Sequence, residues 1–163
     1  FKNITSTTED VSEQVREQII NDLRTGDKKI SFPKTQITLG KGESTILNVG
    51  VRNNENEELS YGIRFDSISE PQSSQAGGTI TALTNNAVKY DSWFQIPTPA
   101  NGWRLGPSES DIRSIRVSIP KTFGGNPLIS GSYAFTFNVV SPYNAPATTS
   151  PYAQKDFFIV VVG

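Results

Sequence analysis

Two hydrophobic periods divide the chain. Val11, Val15, Ile19, Ile20 and Leu23 recur at the spacing of one helical face, and Glu13, Arg16, Glu17 and Arg24 fall largely off that stripe. Ahead of the stripe, Ser6-Thr7-Thr8-Glu9 and Asp10-Val11-Ser12-Glu13 both have the capping-box form, an oxygen-bearing side chain with Glu three residues on. Glu9 and Asp10 suit the positive end of the helix dipole, and Gly26 suits a left-handed C-terminal stop. The pattern predicts one amphipathic helix over about residues 8–24. Its stripe of Val11, Val15, Ile19 and Leu23 has three possible uses: docking on its own domain, pairing with a second copy, or continuing a membrane-proximal stalk.

From Lys28 onward the period is two. Ile30 and Phe32 come first, then Ile37 and Leu39, Ile46 to Val51, and Tyr61, Ile63 and Phe65. Further strands are predicted over 79–84, 88–96, 112–119, 133–140 and 157–162. Turn chemistry separates them: Gly40-Lys41-Gly42, the polar tip Asn53 to Glu58, and the Ser-, Gln-, Gly- and Pro-rich stretches Glu70 to Gly78 and Ser141 to Pro151. No helical pattern stands between the strands, so parallel crossovers have no room. The expected fold is mainly β, an antiparallel sandwich of about eight strands with one N-terminal amphipathic helix. Residues 1–27 form the helix and stalk, and 28–163 the sandwich. Ile46, Phe65, Val117, Tyr133, Phe135 and Phe137 are expected between the sheets. The continuous apolar run Phe157 to Val162 is expected to lie between neighbouring strands with both faces covered.

The strand plan carries a resemblance. Phe32 to Thr45 runs through a strand into a Gly-containing turn, Ile46 to Val51 leads into Arg52-Asn53-Asn54, and Tyr61-Gly62-Ile63-Arg64-Phe65 answers it. Later, Ile115 to Pro120 is followed by Gly131-Ser132-Tyr133, a "G-x-Y" entry to a late core strand. Residues 28–162 resemble the immunoglobulin-like surface modules of archaeal and bacterial envelope proteins. Helix and sandwich together are similar to the extracellular part of archaeal pilin-like and other membrane-anchored surface subunits. The resemblance implies an extracellular, cell-surface location and a structural or adhesive role. It also implies a membrane contact made only through a segment absent from this chain.

Composition narrows the chemistry. The 163 residues are 35% hydrophobic and 19% charged with a net charge of −1, enough apolar content for a core. Zero Cys removes disulfides, thiolate nucleophiles and zinc fingers, and zero His removes Ser–His–Asp and Cys–His catalysis and the commonest metal ligand. A near-neutral chain without a basic stripe is a poor match for nucleic acid. The chain also has no Met and begins at Phe1, so a soluble ectodomain lacking its signal or anchor is expected. Its longest apolar run falls far short of the roughly 20 residues of a membrane span.

What remains is weighed residue by residue. Asp66, Glu70, Asp91, Glu109 and Asp111 are carboxylates that a hydrolase would need at set separations, which spacing alone does not supply. The Asn53 to Glu58 loop is oxygen-rich but lacks the ordered ligand spacing of a calcium loop. The chain is therefore read as a non-enzyme without cofactor or metal. Trp103, Tyr90 and Tyr143 are candidate glycan-binding aromatics, because loop rings can stack on sugar C–H faces. Trp93 is read as core, Trp103 as the better exposed of the two indoles, with core-filling as the competing reading for both. Asn3 of Asn3-Ile4-Thr5 is a candidate N-glycosylation site, and the Ser and Thr residues of 141–151 are candidate O-glycan carriers. The expected partner is a protein or a cell-surface glycan, with self-association through the helix stripe as a further route.

Overall fold

A computed structural model describes residues 13–25, 28–32, 34–71, 80–82, 89–143 and 151–163. Asn3, the capping segment, Val11, Gly26 and most of the Glu70–Gly78 and Ser141–Pro151 loops lie outside the described residues. The chain forms helix α1 (Glu13–Arg24), then β1 (Ile30–Ser31), β2 (Gln36–Gly40), β3 (Ser44–Arg52), β4 (Leu59–Pro71) and β5 (Ile80–Ala82). After a 3-10 turn at Asp91–Trp93 come β6 (Phe94–Gln95), β7 (Trp103–Leu105), β8 (Ser110–Ser118), β9 (Thr122–Phe123), β10 (Asn126–Pro127), β11 (Gly131–Val140) and β12 (Ala153–Val162). Eight of these strands have three residues or more; β1 falls where Ile30 and Phe32 predicted a strand and β6 at the end of the predicted 88–96 strand, whereas β7, β9 and β10 are additions too short for alternation to reveal.

One sheet runs β1-β3-β8-β6 and the other β2-β12-β11-β4-β5, with β7 beside the start of β4. This is the A-B-E-D and G-F-C division of an immunoglobulin sandwich. The first strand is split between the sheets: β1 pairs antiparallel with β3, then the chain crosses over and β2 pairs parallel with β12. β9 and β10 form a small hairpin across Gly124-Gly125, whose φ values of 62° and 85° supply the twist of a two-residue turn.

The inner faces meet in an aromatic core. Phe65 stacks on Phe94 at 4.0 Å, Phe135 on Phe157 at 5.7 Å, and Phe32 on Phe137 at 5.1 Å. Phe65, Val117, Tyr133, Phe135 and Phe137 are all buried there. Ile46 is not. Leu47, Val49 and Val51 hold the inward positions of β3, and Ile46 is half-buried on the outer face opposite Arg116. The stretch Ile46-Leu47-Asn48-Val49-Gly50-Val51 has apolar residues at both parities, so a one-residue slip is easy to make from pattern alone.

The outer face of the β3–β8 sheet carries α1. Ile19 and Leu23 are buried against Ile112, with Val15 and Ile20 packed beside them. The stripe therefore docks on its own domain, and Ile19 and Leu23 are unavailable as an assembly face. Gly50 sets the approach: a Cβ there would lie 2.4 Å from Ile19 Cγ2 and 2.8 Å from Leu23 Cδ1. A Gly50→Val variant is expected to lose about 1–3 kcal/mol through overpacking and to release α1 while the sandwich stays folded. Hydrogen exchange checks this: residues 15–24 should lose protection and β11 should keep it. Unchanged protection across α1 would contradict the packing.

The last strand corrects a second expectation. β12 does lie between neighbours, paired with β11 and β2, and Phe157, Ile159 and Val161 are buried. Its other face is open: Phe158 and Val162 are each 45% exposed.

Candidate functional site

Two regions stand out, at opposite margins of the β2-β12-β11-β4-β5 sheet. At the β2 margin, Phe158 and Val162 alternate with the buried residues of β12, and Val160 lies half-buried between them. β2 ends the strand order, so its second edge pairs with no strand among the described residues. Phe158 stands opposite Gln36, and its N–H donates to the Thr35 carbonyl at 2.9 Å. In a parallel ladder this directs the backbone groups of Ile37 and Leu39 toward β12 and those of Gln36 and Thr38 toward the open edge. The strand Gln36-Ile37-Thr38-Leu39-Gly40 holds no charge and no Pro, the usual devices that blunt an edge. The edge strands of the other sheet, β1 and β6, are only two residues long.

At the β5 margin a cavity of about 290 Å³ opens among Glu70, Lys89, Tyr90, Phe123, Asn126 and Tyr133. Glu70 comes from the end of β4, and Phe123 and Asn126 from the β9–β10 hairpin. The Lys89 ammonium donates to both Glu70 oxygens, at 2.9 and 3.0 Å, and sits 5.4 Å from the Tyr90 ring centre and 5.9 Å from that of Phe123. The Tyr90 hydroxyl donates to Glu70 Oε1, and the Tyr133 hydroxyl to the Ile129 carbonyl at 2.5 Å. Burial, followed by the Glu70 hydrogen bond and charge, raises the Tyr90 hydroxyl far above the ordinary phenol range. Burial, with the Glu70 charge added, pushes Tyr133 up to about 12. Both hydroxyls stay protonated and spend their protons on internal acceptors.

The three candidate glycan aromatics do not converge. Tyr90 is 4% exposed and packs with Trp93, Phe123 and Tyr133. Trp103 is 7% exposed, tilted against Tyr61 with the Arg113 guanidinium 4.7 Å over its ring. The exposure expected of Trp103 is thus absent, because β7 joins β4 and turns the indole inward. Tyr143 lies over Gly62 and Gly102, where an added Cβ would strike it at 2.4 and 2.2 Å. Trp93 is core, as read from the sequence, although it sits in a 3-10 turn rather than a strand.

The carboxylates are engaged separately. Asp66 meets Arg64 and Asn138, Glu109 accepts from the Gly106 N–H at 2.6 Å, and Asp111 pairs with Arg113. Asp91 opens the 3-10 turn, exposed. Among the described residues no group of three or more Asp or Glu gathers to hold a metal ion.

A wider cleft of about 770 Å³ runs beside α1 among Asp22, Lys28, Phe32, Lys34 and Lys155. Lys28 donates to Asp22 at 2.7 Å and, with Ser31, holds that carboxyl below its ordinary range. Both partners are half-exposed, so the pair adds little stability.

No protein-family model matches the chain and no characterised protein matches its sequence. Solved structures do resemble it. The ASH/PapD-like domain 7 of human CEP192 is 13% identical, with 82% of this chain and 83% of that one covered and a TM-score of 0.45. The CARDB domain of PF1109 from Pyrococcus furiosus is 16% identical, with 82% and 90% covered and a TM-score of 0.40. The CsuC–CsuE chaperone–tip subunit complex of Acinetobacter baumannii is 9% identical, with 83% and 57% covered and a TM-score of 0.38. The fold assignment here stands on the sheet order itself.

Proposed function

We propose that this chain is a non-enzymatic interaction module of the cell surface that holds an extended segment of another polypeptide along β2. The observation that carries the reading is the open, uncharged β2 edge beside the exposed Phe158 and Val162. An added strand would take its main-chain hydrogen bonds from Gln36 and Thr38, and its long apolar side chains would reach across Thr38 and Gly40 toward the apolar row on β12, one strand further in. Affinity then comes from backbone pairing and specificity from the small apolar shelf. The surface location is supported by the envelope-type strand plan of residues 28–162. The chain's membership of a membrane-anchored envelope or filament protein belongs to the same proposal.

Selection of displayed ten-residue peptides tests strand addition. Peptides with apolar residues at alternate positions should enrich on the wild-type protein, and Phe158→Glu should weaken them by about tenfold or more. Thr38→Pro removes one outward donor while sparing the β12 ladder, and should weaken them similarly. Equal binding to wild type and both variants would overturn the reading.

A further inference from the structure

The cavity at the β5 margin has a different chemistry from the β2 edge, and nothing in strand addition uses it. Its charges cancel: Glu70 and Lys89 face each other, with side chains 18% and 27% exposed. A free anion or cation would meet no net charge there and would have to separate an existing pair. The polar atoms nevertheless keep unused capacity. Among the described residues Glu70 Oε2 accepts only from Lys89, and a carboxylate has about four acceptor positions. Lys89 has three N–H donors and, among the described residues, shares them only with Glu70. One acceptor and one donor thus stand side by side, 3.0 Å apart. The half-buried Phe123 ring and the exposed Asn126 amide form the rim.

We propose that this cavity binds one pyranose ring of a neutral saccharide. Two adjacent ring hydroxyls match the pair, one donating to Glu70 Oε2 and its neighbour accepting from Lys89 Nζ. The apolar C–H face of the ring lies toward Phe123, and Asn126 takes a third hydroxyl. A volume of about 290 Å³ is at the small end of ligand sites, suited to a single ring. The protonated Tyr90 and Tyr133 hydroxyls hold Glu70 and the Ile129 carbonyl in place before any ligand arrives. This site differs from the Trp103–Tyr90–Tyr143 grouping expected from sequence. It retains Tyr90 as a buried support and adds Glu70, Lys89, Phe123 and Asn126 as the contacting groups.

Titration of the ¹⁵N-labelled chain with methyl β-glucopyranoside and methyl α-mannopyranoside, monitored by amide shifts, tests the proposal. At least one pyranoside should move the Lys89, Phe123 and Asn126 amides saturably, whereas sulfate and tetramethylammonium should not. Phe123→Ala should weaken binding by about tenfold, and Asn126→Ala, on an exposed rim position, by about threefold to fivefold. Thr38→Pro should leave it unchanged, which separates this site from the β2 edge. Absence of saturable shifts with both pyranosides, shifts with the ions alone, or wild-type affinity in both rim variants would overturn it.

Discussion

Truncating Phe135 to Ala is expected to lower the unfolding free energy by about 3–5 kcal/mol. Phe135 is fully buried at the middle of β11, flanked by Tyr133 and Phe137 on the same face. Its ring stacks on Phe157 from the adjacent strand, meets Phe94 edge-on at 5.2 Å from the facing sheet, and lies 5.8 Å from Trp93. Removing it withdraws packing from both sheets at once, and the rings around the hole are pinned by one another, so collapse into it is limited. A domain of this size should melt roughly 10 °C lower or more. Denaturant unfolding and calorimetry check the figure. A variant that melts like wild type would mean that the core is not organised around this ring.

The second large effect is expected at a polar residue. Asn53 is fully buried, and all its groups are used. Its amide donates to the Glu57 carbonyl at 2.7 Å and the Leu105 carbonyl at 3.0 Å, and its side-chain oxygen accepts from the Glu55 N–H at 2.8 Å. Its backbone N–H donates to Glu109 and its carbonyl accepts from Ser108, both at 2.9 Å. One residue thus ties the β3–β4 connection to β7 and to the turn before β8. Asn53→Ala leaves three groups without partners, and water can rescue only the outer ones. A loss of about 2–4 kcal/mol is expected. Asn53→Asp keeps the acceptor but sets a carboxylate against two carbonyls, so it should be no better tolerated. Destabilisation below about 1 kcal/mol for both would sink this account.

Asn53 also shows where pattern reading stops. Asn53-Asn54-Glu55-Asn56-Glu57-Glu58 has the composition of a solvated hairpin tip, and positions 55–58 are exposed. Its first residue is the exception, because β7 folds back beside β4 and supplies the Leu105 carbonyl from 52 residues away. The same strand turned Trp103 inward. β7 is three residues long, and its alternation of Trp103, Arg104 and Leu105 is too short to announce it.

The candidate sites divide in the same way. Tyr90 was recognisable as an aromatic near a loop, but Glu70 was only one of five scattered carboxylates and Lys89 carried no signal at all. They become a site only because the end of β4, the segment before the 3-10 turn and the β9–β10 hairpin converge. Likewise the apolar run 157–162 signalled a buried strand, whereas its half-open face depends on what lies over the sheet.

The local chemistry of the chain was enough for the element types, the amphipathic helix, the sandwich and most of its inward residues. Periodicity and turn residues act over a few positions, and each strand's alternation states which face is dry. The tertiary structure alone decided the partners: the split of the first strand between sheets, the parallel β2–β12 pair, α1 seated on Gly50, and the opposed Glu70 and Lys89. Those contacts join residues far apart in sequence. Their energies depend on distance and burial, which no local pattern encodes, so the two candidate margins of the sheet emerge only once the chain has closed on itself.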